Sequence, residues 1–562
     1  MFHHTLILLS SVACFVTDGA ACYDGRYCHK IAKFVAPPLS VVIAMAKGSD
    51  GKIPQRVKRR PKRVQDNVRG RSPAKSARCC KERSKHVSKH KAKPTKTTNV
   101  SKRIKVLTSK APVLLSVVNQ MMKRLSTKEK NQLSEHIKFI NSTLHTSSSC
   151  SGSGLPRVVE HYVAKKMKLK VVNAFACEKE PWKQRWNDKV IGQFTGDSKA
   201  QRTPCMHPDI GGLSGNKCTC MVHGAQEHET SQCFVRKSRV HSSGFSCKDM
   251  SKLHASRGSA GRNCLANQTG SSGNTLAGLI AYVKSHRPEI LCLENVDDLL
   301  SSTSPNYQYL INEFKALGYV GLSEDILSSQ YSRPQRRRRA YLIFYMCQGG
   351  MTPDVIMEQH VKPAITLAKR LGSTLQEDEN GGKAKYVGPP LERFFLSPKH
   401  LYLQQEHARL RENRAKKGES MAEMRQKKGL TNVEADPWKE TNRSVLAKMG
   451  ISVSECVVPP SERGNVGYDL LTSREKFVLG HALLVAPNLH NADIYQSMGR
   501  EFLSDEKVLS TIVPGSMKWI RPLKRLLLGY EALMVQGMPE EIVKIGVDQN
   551  FTDGNLMDLA GN

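Results

Sequence analysis

The sequence lacks any run of about 18 consecutive apolar residues, the length that a membrane-spanning helix needs, so no such helix is expected. It also has few cysteines for its size, 16 in 562 residues, and this excludes the dense disulfide framework of a small secreted domain. We therefore expect free thiols and a reducing compartment. Residues 51–110 contain only two acidic residues but 22 lysines and arginines.

The basic residues are concentrated in that segment. Of the formal charge of +36, residues 51–110 carry +20 and the rest of the chain carries +16. Clustered Lys and Arg displace counterions from a nucleic-acid backbone, so a nucleic-acid partner is favoured over a surface that is only well solvated. Residues 46–110 have almost no aromatic side chains, which predicts a disordered basic tail. The run at 58–63 (KRRPKR) is typical of a nuclear import signal and predicts a nuclear protein.

Two interpretations of residues 1–45 stay open. The apolar run 5–16 (TLILLSSVACFV) has the length of a secretory signal, although no Lys or Arg precedes it. A secretory signal would carry the basic tail away from nucleic acid. We therefore favour a start of translation near Met45, directly before that tail.

From residue 111 onward the pattern predicts an α/β fold. A helical pattern over 113–140 is followed by a serine-rich connection, and strand-like and helical runs then alternate. Such alternation predicts a largely parallel sheet with helices on both faces. The predicted strands are 171–177, 240–245, 289–293 and 340–346, with helices at 155–167, 275–286 and 307–317 among them. The alternation covers 111–349, stops in 350–515, and apolar patterning returns in 516–562.

Three segments next to these strands carry reactive side chains in a fixed order: 244–251 (GFSCKDMS), 294–296 (ENV) and 334–339 (PQRRRR). Together they resemble the signature of the cytosine-C5 methyltransferase family. The resemblance implies that Cys247 is the nucleophile, that Glu294 protonates N3 of the base, and that Arg337 and Arg339 position the base and the thiol. It also implies nucleic-acid contacts from Ser251, Gln335 and Arg337.

The nucleophile segment departs from the usual family pattern at two positions. Ser246 and Lys248 stand where Pro and Gln are common, which resembles a Ser-Cys-Lys variant found in algae and other protists. A neighbouring positive charge lowers the pKa of a thiol, so we expect Lys248 to favour the thiolate of Cys247.

A second set of residues resembles the family's site for S-adenosylmethionine. Gly152 and Gly154 precede a predicted helix, where glycines let the backbone approach a cofactor and the helix N-terminus faces its carboxylate. Glu178 follows the next predicted strand, as the family's ribose-binding acid does, and Asp209 resembles its adenine contact. Towards the end of the chain, 529–539 and 559–562 resemble the family's last two conserved blocks.

Cysteines and histidines are also concentrated between residues 205 and 233. A Cys-x-Cys pair is not the usual Cys-x-x-Cys spacing of zinc sites, so no metal is predicted. The residues concerned are Cys205, His207, Cys218, Cys220, His223, His228 and Cys233.

The resemblance implies a Rossmann-like, S-adenosylmethionine-dependent methyltransferase domain. Its first part is 111–349, its C-terminal part is 516–562, and a target-recognition region at 350–515 is inserted between them. The implied reaction is methylation of cytosine C5 in duplex DNA, with the target base flipped out and with no membrane partner. Two alternatives stay open: an RNA (transfer RNA) cytosine-C5 methyltransferase, and an inactive relative that only binds nucleic acid.

Overall fold

A seven-stranded sheet forms the centre of the computed structural model. The structure describes residues 113–131, 135, 143–196, 204–223, 231–251, 263–301, 304–331, 333–372, 375–376, 385–386, 388–427, 437–496, 498, 503–504 and 507–561. The predictions for residues 1–45 and for the basic tail at 46–110 lie outside these residues. All the described residues belong to one compact unit of the chain.

Strands along the sheet follow the order β3-β2-β1-β6-β7-β9-β8, in which the first five are parallel and β9 is antiparallel to both of its neighbours. Strands β4 and β5 form a separate antiparallel hairpin. The bounds are β1 Thr143–Ser149, β2 Lys170–Cys177, β3 Cys205–His207, β4 Lys217–Cys220, β5 Ser231–Phe234, β6 Val240–Ser243, β7 Ile290–Val296, β8 Tyr319–Leu327 and β9 Arg338–Met346.

Helices cover both faces of this sheet, as the alternation predicts. The helices have the bounds α1 Val113–Arg124, α2 Leu155–Met167, α3 Pro181–Arg185, α4 Gly192–Thr195, α5 Gly270–His286, α6 Pro305–Ala316, α7 Pro353–Ile356, α8 Lys362–Leu371, α9 Leu401–Lys427, α10 Pro437–Met449, α11 Val466–Asp469, α12 Ser473–Val485, α13 Gly529–Gln536, α14 Glu540–Asp548 and α15 Asp553–Gly561, and those of residues 437–485 lie outside the two clusters that flank the sheet. Among the described residues, none of these helices is both long and apolar enough to cross a membrane.

The alternation of side chains along β7 shows why the sheet has two cores. Ile290 and Cys292 contribute to one apolar cluster, and Leu291 and Leu293 contribute to the other, because successive side chains of a strand point to opposite faces. The first cluster also includes residues of α2, α8 and α13–α15, and the second includes residues of α5 and α6. A strand buried on both faces reads as a continuous apolar run, which is how the sequence revealed β7.

The serine-rich segment before Cys150 is a strand, and its prediction as a connection was wrong. It forms β1, which pairs in parallel with β2 and β6 in the middle of the sheet. Its hydroxyl groups are accommodated by the neighbouring strand, because Ser147 Oγ lies 2.8 Å from His241 Nδ1 and Ser149 Oγ lies 2.9 Å from His241 Nε2. Burial lowers the pKa of His241 to about 3, so the ring is neutral and can accept one hydrogen bond while donating another.

A third apolar cluster lies within residues 446–526 and is built around Trp519. Three short antiparallel strands support it: β12 Asn491–Asp493, β13 Lys518–Ile520 and β14 Arg525–Leu526. Lys518 Nζ and Asp493 Oδ2 form a fully buried ion pair at 3.2 Å within this sheet. A further two-stranded ladder joins β10 Leu375–Gln376 to β11 Lys385–Tyr386. The limits of the target-recognition region stay a prediction.

Candidate active site

The predicted site residues follow one edge of the sheet. Strands β3, β2, β1, β6 and β7 are parallel, so their carboxyl ends meet at the same edge, and the antiparallel β9 begins there. In α/β sheets, ligands bind outside the carboxyl ends of the strands. In sheet order from β3 to β9, the predicted residues at this edge are Asp209, Glu178, Gly152, Gly154, Cys247, Glu294, Arg337 and Arg339.

Cys247 lies on a short loop after β6 that is held against the N-terminus of α5. The Asp249 carboxylate accepts a hydrogen bond from Ser272 N at 2.7 Å, and Ser272 Oγ accepts one from Asp249 N at 3.1 Å. Ser246 N donates to Thr275 Oγ1 at 3.1 Å. An anionic side chain is favourable at a helix N-terminus, so Asp249 fixes the loop without the proline that the family usually has before the cysteine. The sequence offered no signal for this contact, because α5 begins 21 residues after Asp249.

Glu294 and Arg339 form an ion pair beside this loop. Arg339 Nε lies 2.7 Å from Glu294 Oε1, and the two side chains retain 12% and 21% exposure, so both can still be reached from outside. Strand pairing places them together, because Val296 of β7 is in register with Arg339 of β9. Gly244 lies against the same carboxylate, since a Cβ added there would be 3.3 Å from Glu294 Oε2.

Asn295 connects the strand that carries Glu294 to the loop that carries Cys247. Its buried side chain donates from Nδ2 to the carbonyl oxygen of Phe245 at 2.9 Å, and its Oδ1 accepts from Val296 N at 2.9 Å. The Asn295 amide therefore fixes the Cys247 loop relative to the strand that carries Glu294. This is a structural reason for an asparagine directly after the predicted acid.

Two opposing influences act on the Cys247 thiol. Burial raises its pKa, and the Glu294 carboxylate raises it further, whereas the positive charges of Arg339 and Arg337 lower it. Lys248, which we expected to favour the thiolate, has an exposed side chain. The positive charges of Arg339 and Arg337 thus oppose a pKa that burial keeps above the ordinary value of a thiol.

Arg337 is almost fully buried and contacts the last helix of the described chain. Its Nη1 donates to the carbonyl oxygens of Ala560 at 3.3 Å and Gly561 at 3.4 Å. Gln536 Nε2 donates to the same Ala560 oxygen at 2.8 Å. Helix α15 therefore supports an arginine that lies more than 200 positions earlier in the sequence.

The two other predicted nucleic-acid contacts differ in position. Ser251 lies four residues after Cys247, and its backbone N donates to the carbonyl oxygen of Cys247 at 2.9 Å. Gln335 is fully buried, and neither polar atom of its side-chain amide has a hydrogen-bond partner among the described residues. Its contact with nucleic acid stays a prediction.

The predicted cofactor residues form a tight turn between β1 and α2. Gly152 and Gly154 both have positive φ, of 46° and 68°. Gly152 N donates to Glu178 Oε2 at 2.8 Å, which joins the turn to the end of β2. A Cβ at Gly154 would lie 2.5 Å from Asn187 Oδ1, so this position requires glycine on two grounds.

Two residues that were not predicted as part of the site hold this turn by hydrogen bonds to its backbone. Trp186 Nε1 donates to Ser153 O at 2.8 Å, and Asn187 Nδ2 donates to Gly152 O at 3.0 Å. Both lie in a helical segment, 186–191, that follows α3.

Asp209, the predicted adenine contact, lies two residues beyond β3. Its side chain is exposed, and its Oδ1 accepts a hydrogen bond from Gly211 N at 3.2 Å.

Comparison with known proteins gives a match over the catalytic part of the chain. A family model described as C-5 cytosine-specific DNA methylase matches residues 238–541, which is more than half of the chain. This range contains Cys247, Glu294, Arg337 and Arg339.

Individual relatives are more distant. The DNA (cytosine-5-)-methyltransferase DMT5 of Verticillium dahliae is 24% identical over 312 residues, covering 52% of this chain and 12% of that protein. DMT5 of Cryptococcus neoformans is 25% identical over 205 residues, covering 35% of this chain and 7% of that protein. The chain thus spans a small part of the length of these relatives.

Among solved structures, the Dnmt2 methyltransferase of S. pombe is 12% identical with a TM-score of 0.25, covering 46% of this chain and 61% of that chain. The family match is the finding that decides the classification, because it extends over more than half of the sequence. The chain belongs to the C-5 cytosine-specific DNA methylase family.

Proposed function

We propose that this chain transfers a methyl group from S-adenosylmethionine to C5 of cytosine in DNA through a covalent bond between Cys247 and C6 of the base. One observation carries the proposal: a thiol, a carboxyl group and two arginines that influence the thiol electrostatically lie together at the carboxyl edge of the sheet. Both DMT5 relatives are DNA (cytosine-5-)-methyltransferases, which favours DNA over RNA.

Cytosine C5 is a poor nucleophile, and the proposed residues overcome this in two steps. The Cys247 thiolate adds to C6 while Glu294 gives a proton to N3, so the electron pair of the C5–C6 bond becomes available at C5. C5 takes the methyl group and then loses its proton to a base, so the thiolate leaves C6 and N3 returns its proton to Glu294, which restores the aromatic ring. Arg339 holds the Glu294 side chain through their ion pair, and its positive charge opposes the rise in the pKa of the Cys247 thiol that burial causes.

The turn after β1 fits S-adenosylmethionine. Each oxygen of Glu178 accepts one backbone hydrogen bond, from Gly152 N at 2.8 Å and Glu180 N at 3.2 Å. A carboxylate oxygen has about two acceptor positions, so both remain able to accept a ribose hydroxyl. Helix α2 begins directly after Gly154, and a helix N-terminus favours a carboxylate. When bound, the cofactor supplies the electrophilic methyl group.

We expect Glu178→Gln to weaken binding of S-adenosylmethionine by about 10- to 100-fold, because a charge-assisted hydrogen bond to the ribose is lost. The glutamine oxygen can still accept from Gly152 N, so this bond within the turn is retained, whereas the amide nitrogen cannot accept from Glu180 N. Isothermal titration calorimetry measures the affinity. The matched control is Glu180→Gln, whose exposed side chain lies two residues away, and an equal loss in both variants would argue against a cofactor role for Glu178.

The target cytosine lies inside the duplex and must be flipped out to reach Cys247, at a cost of a few kcal/mol. We propose that residues 350–515 contribute the contacts that select the target sequence. The basic tail would add affinity without sequence preference and direct the chain to the nucleus. In this proposal the catalytic domain performs methyl transfer, residues 350–515 select the target sequence, and the basic tail binds DNA without sequence preference.

The function is tested by incubating the purified chain with radiolabelled S-adenosylmethionine and either duplex DNA or transfer RNA. We expect label at C5 of cytosine in DNA, identified by nucleoside mass spectrometry. Labelling confined to transfer RNA would replace the DNA substrate with RNA. Binding of both nucleic acids without transfer would show an inactive relative and overturn the proposal.

A further inference from the structure

Three cysteines and one histidine meet beside the cofactor edge of the sheet, outside the residues proposed for methyl transfer. The ligand atoms of Cys205, Cys220, His223 and Cys233 all lie within 4.8 Å of one another. His223 Nδ1 lies 3.5 Å from Cys205 Sγ, 3.3 Å from Cys220 Sγ and 3.4 Å from Cys233 Sγ. Cys205, Cys220 and Cys233 are at most 7% exposed.

We propose that these four residues bind a structural zinc ion with Cys₃His coordination. In tetrahedral zinc sites the Zn–S bond is about 2.3 Å and the Zn–N bond about 2.0 Å, which places the nitrogen about 3.5 Å from each sulfur. The three distances from His223 Nδ1 agree with that value. Binding releases one proton from each thiol, so the site carries three thiolates and a neutral imidazole around the cation.

Hydrogen bonding alone does not explain this arrangement. An imidazole Nδ1 has either one hydrogen or one lone pair, so it can form one good hydrogen bond, yet three sulfur atoms lie at nearly equal distance from it. A cation at the centre would interact with all four ligand atoms at once. Four protein ligands leave no open coordination position, which is typical of a structural site rather than a catalytic one.

The three cysteines come from three separate strands and His223 follows the second of them, which is why the spacing in the sequence did not predict a site. Cys205 begins the edge strand β3, Cys220 ends β4, and Cys233 lies in β5. The expectation of no metal depended on the absence of a Cys-x-x-Cys pair, but strand pairing brings the sulfur atoms together instead. His207, although part of the same sequence cluster, donates from Nδ1 to Thr219 O at 2.8 Å and lies outside the ligand set.

The ion would join the β4–β5 hairpin to the sheet. A two-stranded hairpin is marginally stable in isolation, and one backbone hydrogen bond, from Met221 N to Met206 O at 2.9 Å, connects it to β3 nearby. Asp209 lies in the segment that connects β3 to β4. Proposed zinc ligands lie on both sides of this segment, with Cys205 before it and Cys220 after it. Zinc would therefore also restrain the predicted adenine-binding segment.

The test begins with the full-length protein purified from cells grown with zinc. Elemental analysis is expected to find one zinc ion per chain, and X-ray absorption at the zinc edge should fit three sulfurs at about 2.3 Å and one nitrogen at about 2.0 Å. Neither measurement depends on methyl transfer or on a variant that folds. Zinc content near zero, with no uptake of zinc or cobalt by the reduced protein, would overturn the proposal.

Substitutions then assign the ligands. Cys220→Ser should lower the zinc content at least several-fold, whereas Cys218→Ser should retain one ion per chain. Cys218 is the matched control because it is two residues away on the same strand and equally buried, but lies outside the ligand set. Equal zinc loss in both variants, or a first shell with fewer than three sulfurs, would contradict the assigned site.

Discussion

The Cys247→Ser variant is expected to lose methyl transfer by on the order of 10⁴-fold or more, because removing the nucleophile removes the covalent route entirely. A serine hydroxyl is a weak nucleophile without a base to activate it. The near-isosteric replacement should leave the loop in place, since the contacts of Asp249 with Ser272 do not involve the sulfur.

The sharper readout is trapping on DNA that contains 5-fluorocytosine. Fluorine at C5 cannot leave as a proton does, so the wild-type chain should remain covalently attached to the DNA and migrate as a slower band on a denaturing gel. Cys247→Ser should form no such band. The control is Cys150→Ser at the same edge of the sheet: burial and the Glu178 carboxylate raise the pKa of the Cys150 thiol to about 12, so it stays protonated and its loss should preserve the adduct. An adduct that survives in Cys247→Ser would identify another nucleophile.

Replacing Glu294 by glutamine is expected to lower kcat by about 10²- to 10⁴-fold, the usual contribution of a general acid. DNA affinity should change little, because the carboxyl group acts mainly in the transition state. Single-turnover kinetics measure the chemical step, and fluorescence anisotropy with labelled DNA measures binding.

The chain offers a close control for this variant. Glu289 precedes β7 at its opposite end and also pairs with an arginine, with Arg239 Nη2 2.8 Å from Glu289 Oε2. Its exposure, 25%, is close to the 21% of Glu294. Glu289→Gln therefore removes a comparable ion pair far from the proposed chemistry, and its kcat should remain near the wild-type value. If Glu294→Gln lost affinity and turnover in equal proportion, its role would be binding rather than proton donation.

The sequence predicted best where short-range patterns decide the structure. Strands β7 and β9 are buried on both faces and form continuous apolar runs, so both could be located, although β7 extends to Val296 rather than residue 293 and β9 begins at Arg338 rather than residue 340. The order of three short motifs then indicated the family. The turn at Gly152 and Gly154 was predictable because their positive φ angles require an unhindered residue.

What could not be predicted depends on contacts between distant segments. The sequence of β1 is polar and therefore resembles a linker. Its serines are compatible with a buried strand because strand pairing places His241 beside them. β8 is mostly half-buried at the edge of the sheet and has no clear alternation. Ser272 supports the Cys247 loop, and Cys205 lies beside Cys233, only in the folded chain, because these residues are far apart in the sequence.

The contact of Arg337 with the carbonyl oxygens of Ala560 and Gly561 has a consequence for biosynthesis. During translation Cys247, Glu294 and the arginine itself leave the ribosome long before the helix that supports the guanidinium group. Domains generally fold as units as they emerge, so Arg337 gains this support only after residues 560 and 561 have been made. An emerging chain would therefore carry the nucleophile before the arginine beside it has the two carbonyl oxygens that hold its guanidinium group.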